Sequence, residues 1–197
     1  MLIKLCARTA CALAFLFLIG SSGTSQIASH DRFSRTIDPY HFSAVKGSAH
    51  PLARPQDDLG HTDPSRPISG TLTFRLSPVQ QADLDRLLRD QQNPASPRYH
   101  NWITPEQYAQ RFGLTHNDLT KVVSWLQSQG LRYEGVSRGG TEVSFSGSVG
   151  QVEYAMHTQI HNYLVRGEQH FANSAAVGLP SALAEQVLNV RGLNDFR

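Results

Sequence analysis

The chain has 197 residues, of which 40% are hydrophobic and 17% charged, with a formal net charge of +2 and a pI near 8.7. Its 18 Lys and Arg residues are scattered rather than blocked, which argues against a nucleic-acid stripe. The only cysteines, Cys6 and Cys11, lie close to the N-terminus.

Lys4 and Arg8 precede an uncharged run from Ala10 to Ile19 rich in Leu and Phe, and Gly20 to Ser25 supplies small residues. A basic start, an apolar centre and a small-residue exit predict a secretory signal peptide over residues 1–25, cut after Ser22 or Ser25. The apolar run is too short for a membrane span, which needs about twenty residues. The sequence therefore predicts a secreted or periplasmic protein with no membrane attachment after cleavage. Arg8-Thr9-Ala10 ahead of Cys11 is no lipobox. Both cysteines leave with the leader, and the mature chain is expected to have no disulfide, thiol nucleophile or thiolate metal ligand.

Residues 26–67 turn to His, Asp, Ser, Pro and Arg with few paired apolar residues, and predict an extended N-terminal tail that orders on contact. A folded domain is expected over 68–197. Gly70-Thr71-Leu72-Thr73-Phe74-Arg75-Leu76 alternates as a half-buried strand. Ser77-Pro78 opens a helix with Leu84, Leu87 and Leu88 on its apolar side, ending before Asn93-Pro94. Tyr99-His100-Asn101-Trp102-Ile103-Thr104-Pro105-Glu106-Gln107-Tyr108 follows. Thr104, Pro105 and Gln107 form a capping box with Pro at the first helical position, Tyr108 and Phe112 are i, i+4 neighbours, and Gly113 is placed for a left-handed stop.

Thr115 or Asn117 caps a further helix with Leu119, Val122, Val123 and Leu126 inward and Gly130 at its end. Two alternating strands, 131–136 and 141–147, flank Gly139-Gly140 as a hairpin. Ser148 starts a helix with Val149, Val152, Ala155 and Met156 inward. Strands over 160–165 and 169–172 turn at Arg166-Gly167-Glu168, and a last helix runs from Leu179-Pro180 to Leu188. This order predicts an α+β fold, a ferredoxin-like antiparallel sheet with helices packed on one face.

Nine histidines invite a metal reading, and His157 and His161 are four apart. Thr158 stands where a zinc hydrolase would carry its Glu, and the segment passes from helix to strand near Ile160, so no metal and no cofactor are expected. Ser22-Gly23-Thr24-Ser25 falls in the leader exit, Gly-x-Ser-x-Gly does not occur, and no catalytic residue is assigned. The aromatic approach of Tyr99, His100 and Trp102 reads two ways, as aromatics pinning a long loop to a core or as a contact surface.

The stretch Tyr99-His100-Asn101-Trp102-Ile103-Thr104-Pro105-Glu106-Gln107-Tyr108 through Phe112-Gly113 resembles the activation domain of the sedolisin/kumamolisin serine-carboxyl peptidases. The preceding Asn93-Pro94-Ala95-Ser96-Pro97, the later Val143-Ser144-Phe145-Ser146-Gly147-Ser148-Val149, His157-Thr158-Gln159-Ile160-His161-Asn162-Tyr163, Glu168-Gln169-His170-Phe171-Ala172-Asn173 and Leu179-Pro180-Ser181-Ala182-Leu183 continue the likeness. Ile103 for Leu and Tyr108 for Phe are mild departures. The resemblance implies a propeptide that chaperones its peptidase and covers the catalytic cleft until acid releases it. The partner would be a cognate peptidase domain, in cis or in trans. The catalytic Glu, Asp and Ser would belong to that domain, whose linker is expected just beyond Asn194-Asp195-Phe196-Arg197.

On this reading the contact surface comprises the sheet face together with Tyr99, His100, Trp102, Tyr108, Phe112, His170 and Phe171. His100, His157, His161 and His170 are candidates for a pH switch, since imidazoles change charge between about pH 5 and 8. A free-standing secreted inhibitor and a secreted adaptor module are the alternatives.

Overall fold

The computed structural model describes residues 29–196; the signal-peptide reading lies outside them. Its centre is the strand β3 (Pro67–Phe74), whose alternation buries Ile68, Gly70, Leu72 and Phe74 on one face. β5 (Glu142–Ser148) lies antiparallel along one edge and β9 (Val187–Arg191) along the other, while β4 (Arg132–Val136) pairs with β5. The order β4-β5-β3-β9 is that of a ferredoxin-like split βαβ sheet. Val143 and Phe145 extend the buried face. Packing there is tight: a Cβ on Gly70 would come within 2.4 Å of the Phe145 ring.

Helices α3 (His116–Ser128), α4 (Val149–Met156) and α5 (Ser181–Gln186) close the core. Val122, Trp125, Leu126, Val149, Val152, Ala155, Met156 and Leu183 meet the inner face of the sheet in one cluster. Ser148 caps α4 in a full capping box with Gln151, and the four residues read as inward are all buried. Helices α1 (Pro78–Gln92) and α2 (Pro105–Phe112) also begin in capping boxes, at Ser77 and Thr104. A three-stranded sheet joins β2 (Asp58–His61), β6 (Ile160–Val165) and β7 (Glu168–Asn173), and β1 (Phe42–Ala44) pairs with β8 (Gly178–Pro180).

Four local expectations change. Ordered structure begins well before Ser69: Phe33, Ile37 and Val45 sit in the central cluster. The segment is extended, but Arg32 and Phe33 donate their N–H groups to the fully buried Asp118 carboxylate at 2.9–3.1 Å, and Lys121 reaches the Phe33 carbonyl. In α1 the buried stripe is Gln80, Asp83, Leu87 and Gln91, and Leu88 is exposed. Polar groups replace the expected leucines because each has a partner in the turn or helix beside it. Gly113 is extended at φ −72°, ψ 178° rather than left-handed. Glycine is needed there for space, since a Cβ would lie 2.6 Å from the Ala109 carbonyl oxygen and 3.1 Å from Gly140. The last helix stops at Gln186, and Val187–Arg191 becomes β9, whose ladder with β3 offers the β-branched Val187 and Val190 a buried face.

Candidate functional site

Gln91 builds the aromatic approach. Its carbonyl accepts the His100 N–H at 3.0 Å and its Nε2 donates to the Asn101 carbonyl at 2.7 Å, which fixes the loop against the end of α1. His100 takes a left-handed backbone at φ 55° and its ring lies between Tyr99 (centroids 3.8 Å) and Trp102 (5.9 Å). Trp102 is 61% exposed and Tyr99 42%. Three stacked rings, fixed at their base and open at the tip, form a pre-ordered apolar ledge.

Tyr108 and Phe112 contact each other on α2, 4.9 Å between ring centroids. Tyr108 is half-buried, and burial raises its phenol above the usual range. Phe112 is completely buried and cannot touch a partner. That removes it from the expected contact set: at the last position of α2 its ring is fully enclosed, while Tyr108 one turn earlier keeps part of its surface open. His170 and Phe171 lie on β7 of the three-stranded sheet, whereas the ledge is fixed to α1. Phe171 sits under the Arg66 guanidinium at 4.4 Å. His170 stands 3.3 Å from Asp195 and 3.7 Å from Glu168.

The other two histidines of the expected switch, His157 and His161, are likewise engaged within the chain. His157 ends α4 in the left-handed region and its ring stacks on Phe42 at 3.6 Å. His161 Nδ1 is 2.7 Å from Asp58 Oδ2, and the His61 ring is 4.3 Å away. Burial acts to raise the Asp58 carboxyl, but the Gly60 N–H and His161 hold it below its usual value. Among the described residues no group of three or more His, Cys, Asp or Glu side chains is placed to hold a metal ion.

The outer face of the four-stranded sheet is open. It presents Ser69, Thr71 and Thr73 from β3, Ser144 and Ser146 from β5, and a rim of ion pairs, Arg191 with Glu142 at 2.5 Å and Arg132 with Glu134 at 3.9 Å. Thr71 and Ser144 hydroxyls lie 3.3 Å apart. Short side chains across the two central strands leave a flat surface on which another element can seat closely. The polar half of each alternating strand was visible in the sequence, but its flatness depends on registers that join Thr71 to Ser144 and Arg191.

The sequence matches the Pro-kumamolisin activation domain over residues 56–196. The chain belongs to that family. It is 30% identical over 102 residues to xanthomonalisin of a Xanthomonas species, a match covering 52% of this chain and 12% of that protein. Over 115 residues it is 27% identical to sedolisin of a Pseudomonas species, covering 58% and 20% of the two. Over 94 residues it is 28% identical to a tripeptidyl-peptidase of Aspergillus fumigatus, covering 45% and 15%. The matched part of the chain therefore covers a fifth or less of the length of these curated relatives. Within it the ledge, α2, the open sheet and the β6–β7 hairpin all fall inside the matched residues, whereas the strap of Arg32, Phe33 and Ile37 precedes them. Among the described residues no helix is long and apolar enough to cross a membrane.

Proposed function

We propose that this chain is the activation domain of an exported sedolisin-type serine-carboxyl peptidase, serving as its folding template and its inhibitor until acid separates the two. The match to the activation-domain family across most of the folded chain carries this reading. Two surface features support it. The open sheet face is flat and made of small polar residues, which suits close docking of a preformed globular partner. The Tyr99–His100–Trp102 ledge is apolar and held rigid, so little side-chain freedom is lost on contact. The peptidase supplies all the chemistry, and this chain supplies complementarity.

The test is inhibition of a sedolisin-type peptidase by the purified protein, titrated at neutral and acid pH. The expected outcome is tight inhibition near neutrality that fades in acid. Absence of binding at both pH values would remove the propeptide reading and leave the adaptor class.

A further inference from the structure

The β6–β7 hairpin receives chain on both edges. β2 lies along β6, and residues 193–195 lie along β7. Asn173 donates its N–H to the Leu193 carbonyl at 3.1 Å, Asp195 donates to the Phe171 carbonyl at 3.2 Å, and Ala172 bridges Asn194 in antiparallel sense. The Asp195 side chain closes this edge, its Oδ1 accepting the Phe171 N–H at 2.9 Å. Phe196 then enters a small apolar cluster with Leu52, Ala53, Tyr163 and Val165. Its ring lies on those of His170 (4.6 Å) and His50 (4.5 Å).

His170 is the centre of this arrangement. Its side chain is 18% exposed, with Asp195 at Nδ1 and Glu168 at Nε2. The other ionisable neighbours are Arg166, which lines the same cleft, Tyr163, which faces His170 across the β6–β7 ladder, and His50, reached through Phe196. We infer that Asn194–Phe196 is a latched extension of this sheet, held by His170 between two carboxylates, and that the latch stays shut through mild acid and opens only when those carboxylates lose their charge.

The argument is one of sign. The ring nitrogens of His170 lie 3.3 Å from the Asp195 carboxylate and 3.7 Å from that of Glu168, so a proton gained by the imidazole adds attraction to two negative charges instead of removing it. Protonating Asp195 removes the charge that His170 faces and weakens the acceptor of the Phe171 N–H. His170 therefore acts opposite to the switch expected from its residue type. The latch lies wholly within this chain and is independent of any partner.

Amide protection factors of Asp195 and Asn173 in the purified protein, corrected for intrinsic exchange, test it directly. Protection is expected to hold or rise from about pH 7 to about pH 5, then to fall about tenfold or more below about pH 4, while Leu72 and Val143 in the main sheet keep theirs. Asp195→Asn should lower protection already at neutrality and flatten the acid step, and His170→Gln should abolish the mild-acid rise. Loss of protection in wild type between about pH 7 and about pH 5 would put imidazole titration in control and overturn the proposal. So would an unchanged profile in Asp195→Asn, or a loss shared equally by Leu72 and Val143.

Discussion

Asp83 and Arg111 are where a single residue pair matters most. Both side chains are largely buried, at 8% and 13% exposure, and the guanidinium grips both carboxylate oxygens at 2.5 Å. The Arg111 hydrogen bond, and then its charge, hold the Asp83 carboxyl below its usual range against the opposing effect of burial. Asp83→Ala strands a buried cation, with an expected loss of about 3 kcal/mol in urea unfolding near neutral pH. The sign with pH follows from the depressed carboxyl: its stabilisation is complete above the unfolded value of about 3.9 and is lost as pH falls through the folded one. The gap between wild type and Asp83→Ala should thus be full at about pH 6 and close in strong acid. A gap that stayed constant into strong acid would show that lost packing, and not the ion pair, sets the cost. Nothing in the residues 77–92 taken alone announces this pair. Asp83 looks like a solvent-facing helix residue until Arg111, 28 positions on, is brought beside it.

Helix starts were legible in the sequence because capping is local. Ser77, Thr104 and Ser148 each find their partner three residues ahead, and all three boxes form. The N-terminal segment was not legible, because its apolar residues are spaced to no period and are buried by elements far along the chain. Arg32 spans the joint between α2 and α3, its guanidinium donating to the carbonyls of Phe112 at 2.7 Å and Arg75 at 2.9 Å. Phe33 meets Phe74 edge-on at 6.5 Å. This strap is therefore part of the domain's core. Phe33→Ala is expected to cost about 3 kcal/mol, measured by chemical denaturation. A change within about 0.5 kcal/mol would return the segment to the status of a tail.

Across the whole molecule, two surfaces compete to explain binding, the aromatic ledge and the open sheet face. They can be separated, since residues on both are free of the core. Trp102→Ala and Thr71→Arg should each leave unfolding within about 0.5 kcal/mol of wild type. If the sheet face is the main seat of the peptidase, Thr71→Arg weakens inhibition by about a hundredfold or more, through the bulk placed on a flat docking surface, and Trp102→Ala by about tenfold. The reverse ranking would move the seat to the ledge. Equal inhibition by both variants and wild type would exclude both surfaces.

From the residues by themselves came the α+β class, the split βαβ order, the hairpin around Gly139-Gly140, the inward face of α4, and the family likeness. The likeness rests on the matched motif stretches, and the others on short-range periodicity, capping and turn chemistry, which a sequence displays directly. Only the tertiary structure decided which aromatics face solvent, why Gly113 must lack a side chain, where residues 29–45 pack, and that His161 and His170 face carboxylates of their own domain. Those include pairings between residues 138 positions apart, as for Ser43 and Ser181, and no local pattern in a sequence records them.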